Sequence, residues 1–415
     1  MLSINRTKTN LFIKCATFFV DNYYWLFVIV AIIDFFLSID LDSILILGTL
    51  YSFCVILVYN YTFKQFDVLI FGWIFYQLLS VLFSSYDLQL FYYGIKLQII
   101  PILFYFLGRS SLFSNNNLME KAYYPLLISM LFGLYTYFLQ PDWYLSKKMS
   151  FFGDDLGSVT SQSFYESTRL SSFWPWSYFM GYSSLLFIMY FFKELFKDKI
   201  KFKFISFIII SILVLFFAQQ RVSIVFFMIY IIFMFKFSGF SHKSRWYFAF
   251  AIFASVALGI FYVIVNYISP EYLNYILQRS VKSDNSIVGS RFAMYLYHFS
   301  ISLFGEGLGK YGHMAYYLHN SFAIGDNDYL RLIMELGVFG LIYLFIIYLY
   351  SFIRFIKFKK YFKFEIMVLF FFSCAMIGGT PLENSVMQPF FWWFCIGRLF
   401  NRELIDYKIK NKLYY

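Results

Sequence analysis

Apolar runs of bilayer-crossing length recur from one end of this 415-residue chain to the other. A helix needs about 20 mostly apolar residues, with roughly 17–25 usual, to cross the hydrocarbon core. A helix that is apolar all round must sit in lipid or in a protein interior. The pattern predicts twelve spans, near residues 18–38, 43–60, 66–83, 89–107, 122–139, 173–192, 204–219, 222–236, 246–268, 328–351, 364–380 and 386–400. Two pairs, 204–219 with 222–236 and 364–380 with 386–400, read as tight hairpins. Composition agrees: 61% of residues are hydrophobic, 14% are charged, and mean hydropathy is +0.66. Soluble domains sit near 45–50% apolar and about 25% charged. The expected fold class is therefore an all-α polytopic integral membrane protein, one membrane domain over 1–415 with about 12 transmembrane helices.

The net charge of +11 would point a soluble protein toward nucleic acid; here it reads as topology, and no nucleic-acid partner is expected. With the N-terminus inside, the basic segments KELFKDKIKFK (193–203), KFSGFSHKSR (236–245) and RFIKFKKYFK (354–363) all fall on the cytoplasmic face, as does the tail. The short outer turns IDLDS (39–43) and SSYDLQL (84–90) carry no Lys or Arg. Twelve spans with both termini cytoplasmic satisfy the positive-inside rule. The start, MLSINRTKTNLFIKC, resembles a signal peptide, but the apolar run after it is long and has no small-residue cleavage site, so it reads as an uncleaved first span. The four cysteines show no paired spacing, which argues against a disulfide framework and a zinc pattern.

Two connectors break the rule of short loops. Residues 140–172 and 269–327 are long, polar and on the outer face, and loops of that length are more often functional than passive. Outward cations gather around them: Arg169 before the span at Phe173, Arg221 in the turn AQQRVSIVFF, Arg291 after VGS, and Lys310 and Arg331 around the second loop's end. Arg221 can snorkel to headgroups, or several arginines can converge on an anionic ligand, since the guanidinium fork binds phosphate oxygens bidentately. The spacing of His298, His313 and His319 matches no zinc signature, so no metal is expected; one imidazole can serve as base or hydrogen-bond partner, and His298 and His313 read as exposed loop residues. GEGLGK (305–310) lacks the phosphate-loop spacing and reads as a tight turn returning the chain to the membrane. Lys96 is an intramembrane cation, either functional or paired with a tyrosine at a helix interface.

The stretch HNSFAIGDNDYLRLIMELGVFG (319–340) concentrates polar groups at the mouth of a span. Asp326 or Asn327 can cap the helix that follows. Asp328, Arg331 and Glu335 share one helical face, and Gly337 and Gly340 admit close approach of another segment. Glu335, about two turns inside, needs a partner or a wet cavity, which predicts a polar cavity at the outer face.

Here the run DNDYLRLIMELGVFG (326–340) resembles the signature of the bacterial O-antigen polymerase and O-antigen ligase superfamily, approximately [HD]-N-x-x-L-x-x-x-x-E-x-G-x-x-G at the end of a large periplasmic loop. Asp326, Asn327, Leu330, Glu335, Gly337 and Gly340 stand in register with it. QQRVSIVFF resembles the family's arginine at a periplasmic turn, and GSRFAMYLYHF with GEGLG resembles its G-x-R segment and glycine turn. The resemblance implies a GT-C-like glycosyltransferase with two large periplasmic loops in the bacterial inner membrane, working at the periplasmic face without metal, nucleotide sugar or other cofactor. Its implied partners are undecaprenyl-diphosphate-linked oligosaccharide as donor and acceptor, membrane lipid, and, as an open question, a polysaccharide chain-length regulator. Arg221 and Arg291 match family arginines thought to engage the diphosphate. Arg169, with Gly181, nearly matches a polymerase loop pattern and joins them as a diphosphate candidate. Asn327, Asn320 and Arg331 are candidates for positioning sugar. Asp326, His319 and Glu335 are the catalytic candidates, with the base left open between Asp326 and His319. Ligases typically carry histidine where Asp326 stands, so the resemblance favours a polymerase. A ligase acting on lipid A-core and a lipid-linked oligosaccharide flippase are the alternatives.

Overall fold

The computed structural model describes residues 6–39, 41–59, 62–83, 87–110, 118–150, 169–174, 177–191, 202–237, 302–312, 315, 324, 327–358, 361–377 and 387–410; of residues 6–10, 83, 118–119, 202, 221, 232–237 and 387–388 it describes the backbone only. Among them the chain is helical and contains no strand. The helices are α1 (Arg6–Asp21), α2 (Tyr23–Leu37), α3 (Asp42–Tyr59), α4 (Gln65–Leu79), α5 (Leu88–Gly94), α6 (Ile100–Arg109), α7 (Leu118–Lys121), α8 (Tyr123–Leu139), α9 (Asp142–Ser150), α10 (Ser177–Phe191), α11 (Phe202–Phe217), α12 (Arg221–Phe237), α13 (Asp328–Phe358), α14 (Lys363–Ala375), α15 (Met387–Phe400) and α16 (Arg402–Lys410). A π-helical turn, Ile95–Ile99, joins α5 to α6.

Four described helices are long and apolar enough to cross a membrane: Asp42–Tyr59, Gln65–Leu82, Leu88–Arg109 and Asp328–Phe358. A fifth arises if Leu11–Asp21 and Tyr23–Leu37 count as one span, bent by 62°. Tyr123–Leu139, Lys203–Phe217 and Val222–Ile231 are apolar but shorter. The expectation of one straight span over 18–38 is therefore corrected: polar Asp21 and Asn22 sit at the bend. The 140–172 connector is also not all loop, because α9 occupies its start, with Asp142 in the first turn and Lys147 and Lys148 in the last, a charge order that suits the helix dipole. The expected span 246–268 lies outside the described residues.

The packing explains how so apolar a chain reaches one arrangement. α13 buries Leu336, Gly340, Leu344, Ile347 and Ser351, spaced as one helical stripe, and turns Phe345, Leu349, Phe352, Ile353 and Ile356 outward. That outer face suits lipid rather than water. α10 is buried nearly all round and packs against α11, α12, α14 and α15. α6 and α15 run antiparallel at backbone contact. A Cβ at Gly108 would strike the Phe394 carbonyl, and one at Gly397 the Tyr105 carbonyl. Small residues let membrane helices approach this closely. At the end of the molecule that carries the basic segments, Asp67 accepts from Tyr105 Oη at 2.7 Å and pairs with Arg109, tying α4 to α6. There too Glu365 pairs with Arg398 at 3.1 Å and with Lys408 at 3.8 Å, tying α14 to α15 and α16.

Candidate functional site

The mouth of α13 is built from its cap inward. Asn327 Oδ1 accepts from Leu330 N at 3.0 Å and so caps the helix. Its Nδ2 donates to Ile377 O at 3.0 Å, and Asp328 N donates to Met376 O at 3.0 Å, which fastens the helix start to the end of α14. One turn on, Arg331 donates to Asp328 Oδ1 through Nε at 3.1 Å and through its terminal nitrogen at 2.7 Å. Its other nitrogen lies 3.6 Å from Glu335 Oε2. Glu335 Oε2 also accepts from Gln98 Nε2 at 2.7 Å, and Oε1 accepts from Tyr311 N at 3.0 Å.

Asp328, Arg331 and Glu335 are 0%, 1% and 0% exposed. The expected wet cavity at Glu335 is thus replaced by a protein-enclosed network, in which each buried charge meets opposite charge or a hydrogen-bond donor. Gln98, which completes it, was not among the residues singled out from sequence; a polar side chain inside an apolar span, two residues after Lys96, was the available signal. The π turn brings out both residues, because Lys96 reaches the other way and pairs with Asp42 at 2.7 Å while lying over the Tyr93 ring. Lys96 therefore sits at a protein interface with a carboxylate as well as a tyrosine. Single π turns inside α-helices frequently mark functional sites.

The glycine turn is the second half of the site. α13 breaks its helical geometry at Gly337, whose φ is 72° and ψ is −175°. Residues 302–307 lie along the break. Glu306 N donates to Met334 O at 2.8 Å, Gly307 N to Glu335 O at 2.9 Å, Val338 N to Ser302 O at 3.1 Å and Phe339 N to Leu303 O at 3.2 Å. Tyr76 Oη donates to Leu336 O at 2.5 Å. The polar backbone freed by the break is thereby satisfied inside protein, as irregular backbone at membrane depth requires. Gly305, with φ of 80°, permits the crossing, since a Cβ there would meet the Glu335 carbonyl. GEGLG is indeed a turn that holds the loop against the helix. Beyond it Glu306 accepts from Lys310 Nζ at 2.7 Å and from Tyr311 Oη at 2.6 Å. Burial first, and the Glu306 hydrogen bond next, push the Tyr311 hydroxyl well above its ordinary pKa, so it stays a neutral donor.

Arg169 and the backbone of Arg221 belong to neighbouring segments. Leu170 N donates to Phe217 O at 3.1 Å, which brings the Arg169 segment to the turn that carries Arg221. Lys148 Nζ reaches Arg169 O at 3.3 Å, and Gln220 Nε2 donates to Ser177 Oγ at 3.2 Å, closing α10 onto the same turn. A Cβ on Gly181 would meet Gln220, so the glycine paired with Arg169 in sequence does adjoin this turn. Arg221 is the first residue of α12; its side chain, and Arg291, Asp326, His319, Asn320, His298 and His313 entirely, lie outside the described residues. Among the described residues no group of three or more His, Cys, Asp or Glu side chains could hold a metal ion. No protein-family model matches the chain, and no curated protein matches it.

Proposed function

We propose that the chain is a twelve-span glycosyltransferase of the bacterial inner membrane that polymerises lipid-linked repeat units of a surface polysaccharide at the periplasmic face. One observation carries the reading. GEGLG and the DNDYLRLIMELGVFG helix are separate motifs of one resemblance, and they are hydrogen-bonded into one unit where Glu306 N and Gly307 N donate to Met334 O and Glu335 O. A large outer loop held this firmly to a membrane helix is what a site at the bilayer surface needs.

In the proposed reaction an acceptor sugar hydroxyl attacks the anomeric carbon of the growing chain. The new bond forms to the hydroxyl oxygen, the bond from carbon to phosphate oxygen breaks, and undecaprenyl diphosphate leaves with the electron pair. The hydroxyl proton passes to Asp326 or His319, and configuration inverts. Arg221 and Arg291, with Arg169, stabilise the leaving diphosphate, where fixed positive charge lowers the barrier most. Asn327 and Asn320 orient sugar, and Arg331, enclosed with Asp328 and Glu335, supports the helix mouth from within the protein. Both Glu335 carboxylate oxygens already accept hydrogen bonds, so its part is to hold the Tyr311 backbone and the Gln98 amide in place.

The test uses purified protein with a synthetic lipid-diphosphate repeat unit and gel analysis of product length. Arg221→Ala and Arg291→Ala should each cut polymer formation by on the order of 10²–10³-fold. Full-length polymer from the double variant would overturn the reading. The ligase alternative predicts that deletion leaves bare lipid A-core with long lipid-linked chains accumulating; a polymerase deletion still caps core with one repeat. The flippase alternative expects ionisable groups along a midplane path; here Asp328, Arg331 and Glu335 occupy the first two turns of α13, and Lys96 is paired with Asp42.

A further inference from the structure

A small cavity lies where α4, the π turn, α13 and α15 meet, walled by Trp73, Leu332, Leu344 and Trp393 with two glutamines, Gln77 and Gln98. About 20 Å³ of it is open to the centre of a water molecule. One water needs roughly 10–15 Å³ of such space, so the cavity is sized for a single water and far too small for a sugar. Gln77 is 2% exposed, and its Oε1 is buried with no hydrogen-bond partner among the described residues. Gln98 commits its Nε2 to Glu335 Oε2 at 2.7 Å, which turns the opposite end of its amide, the carbonyl Oε1, away from that carboxylate. Gln77 and Gln98 thus both border one space whose other walls are apolar. A buried acceptor without a donor is costly, and polar cavities of this size are where proteins hold ordered water.

We propose that this cavity is a buried water site, in which one water donates one proton to Gln77 Oε1 and the other to Gln98 Oε1. The stoichiometry matches, since water has two protons to give and the site presents two acceptors. The water completes a chain from Gln77 on α4 through Gln98 in the π turn to Glu335 on α13, and onward to Arg331. It also fixes the Gln98 amide. A flipped Gln98 would set its carbonyl against the Glu335 carboxylate, and a donor on the other side holds the productive orientation. Gln77 and Gln98 are then positioning residues for the Glu335 network, whatever reaction that network serves.

Two measurements on the purified full-length protein test the site. Hydroxyl radicals generated by X-ray radiolysis arise from bound water as well as bulk, so they label side chains beside buried waters. Trp73 and Trp393 are 2% and 3% exposed, yet at least one should oxidise at a rate comparable with surface tryptophan, and that labelling should fall several-fold in Gln77→Leu. The second readout is the sign of a Tm shift. If Gln77 Oε1 were a dry orphan, Gln77→Leu would remove it and raise the apparent Tm. With the water in place the substitution strips it of an acceptor and lowers Tm, by about 1–3 °C. Unlabelled Trp73 and Trp393 in the wild type would overturn the proposal, and so would an unchanged or raised Tm in the variant. Should Gln77→Leu fail to fold, wild-type labelling alone decides.

Discussion

Gly337 is where side-chain chemistry and backbone geometry meet most tightly. Its φ of 72° lies in the left-handed region, and a Cβ would run into Leu303 O and Gly305 N of the turn crossing it. Gly337→Ala therefore combines a backbone penalty with a displaced strap, together about 2–5 kcal/mol. Unfolding in detergent should show a large fall in midpoint, and a midpoint within 1 °C of wild type would refute the crossing. The glycine was legible in sequence as a place of close approach, and so was the common face of Asp328, Arg331 and Glu335. What meets that face was not legible. Gln98 is 237 residues from Glu335 along the chain, and nothing local to either residue announces the pair. Hydropathy suggested water around Glu335 because a charge in an apolar span needs solvation; folding supplies it from an amide, a backbone N–H and an arginine instead.

At the scale of elements, periodicity located several helices to within a residue or two, as for 43–60 against Asp42–Tyr59 and 386–400 against Met387–Phe400, and stopped seven residues short for 328–351 against Asp328–Phe358. It failed where a short polar signal was averaged away. Asp21 and Asn22 bend the first apolar run, and α9 is too short and too polar to stand out from its loop. The π turn is the subtler case. One extra residue in a turn leaves composition unchanged, so no pattern reveals it, yet it decides that Lys96 reaches Asp42 while Gln98 reaches Glu335. Deleting Leu97 should restore regular α-helix and allow only one of those contacts. Beyond the turn the register of α6 is locked by Gly108 and Gly397 against α15, so the loss should fall on Lys96–Asp42. A partly buried cation without its partner costs on the order of 1–3 kcal/mol. Deletion of Leu97 should therefore lower the unfolding midpoint more than Leu97→Ala does; the reverse order would show that the extra residue is idle.

At the scale of the molecule, charge speaks to sidedness more firmly than to the number of crossings. Four described helices, or five with the bent pair, have the length and apolarity to span, whereas the sequence pattern predicts twelve. Tight packing is part of the reason: α10 and α15 are short, and inside protein a helix need not match bilayer thickness on its own. Sidedness rests on a different signal. Lys and Arg are enriched in cytoplasmic loops, and on that rule the proposed topology turns RFIKFKKYFK and the tail inward and the 302–312 strap outward. The fold ties these assignments together. α13 runs from the strap at its start to Arg354 and Lys357 at its end, α14 returns to Met376 beside Asp328, and α15 goes back to α16. The proposed topology therefore sets the strap and α16 on opposite sides of the membrane. In a chain freed of Cys15, Cys54, Cys374 and Cys395, Lys310→Cys and Lys147→Cys should react with a membrane-impermeant maleimide on cells whose outer membrane alone is permeabilised. Lys357→Cys and Lys410→Cys should react only after the inner membrane is opened. Equal labelling of Lys310→Cys and Lys410→Cys before that step would break the topology. An inverted pattern would put the Arg169, Arg221 and Glu335 end of the molecule in the cytoplasm, where a periplasmic polymerase has no use for it.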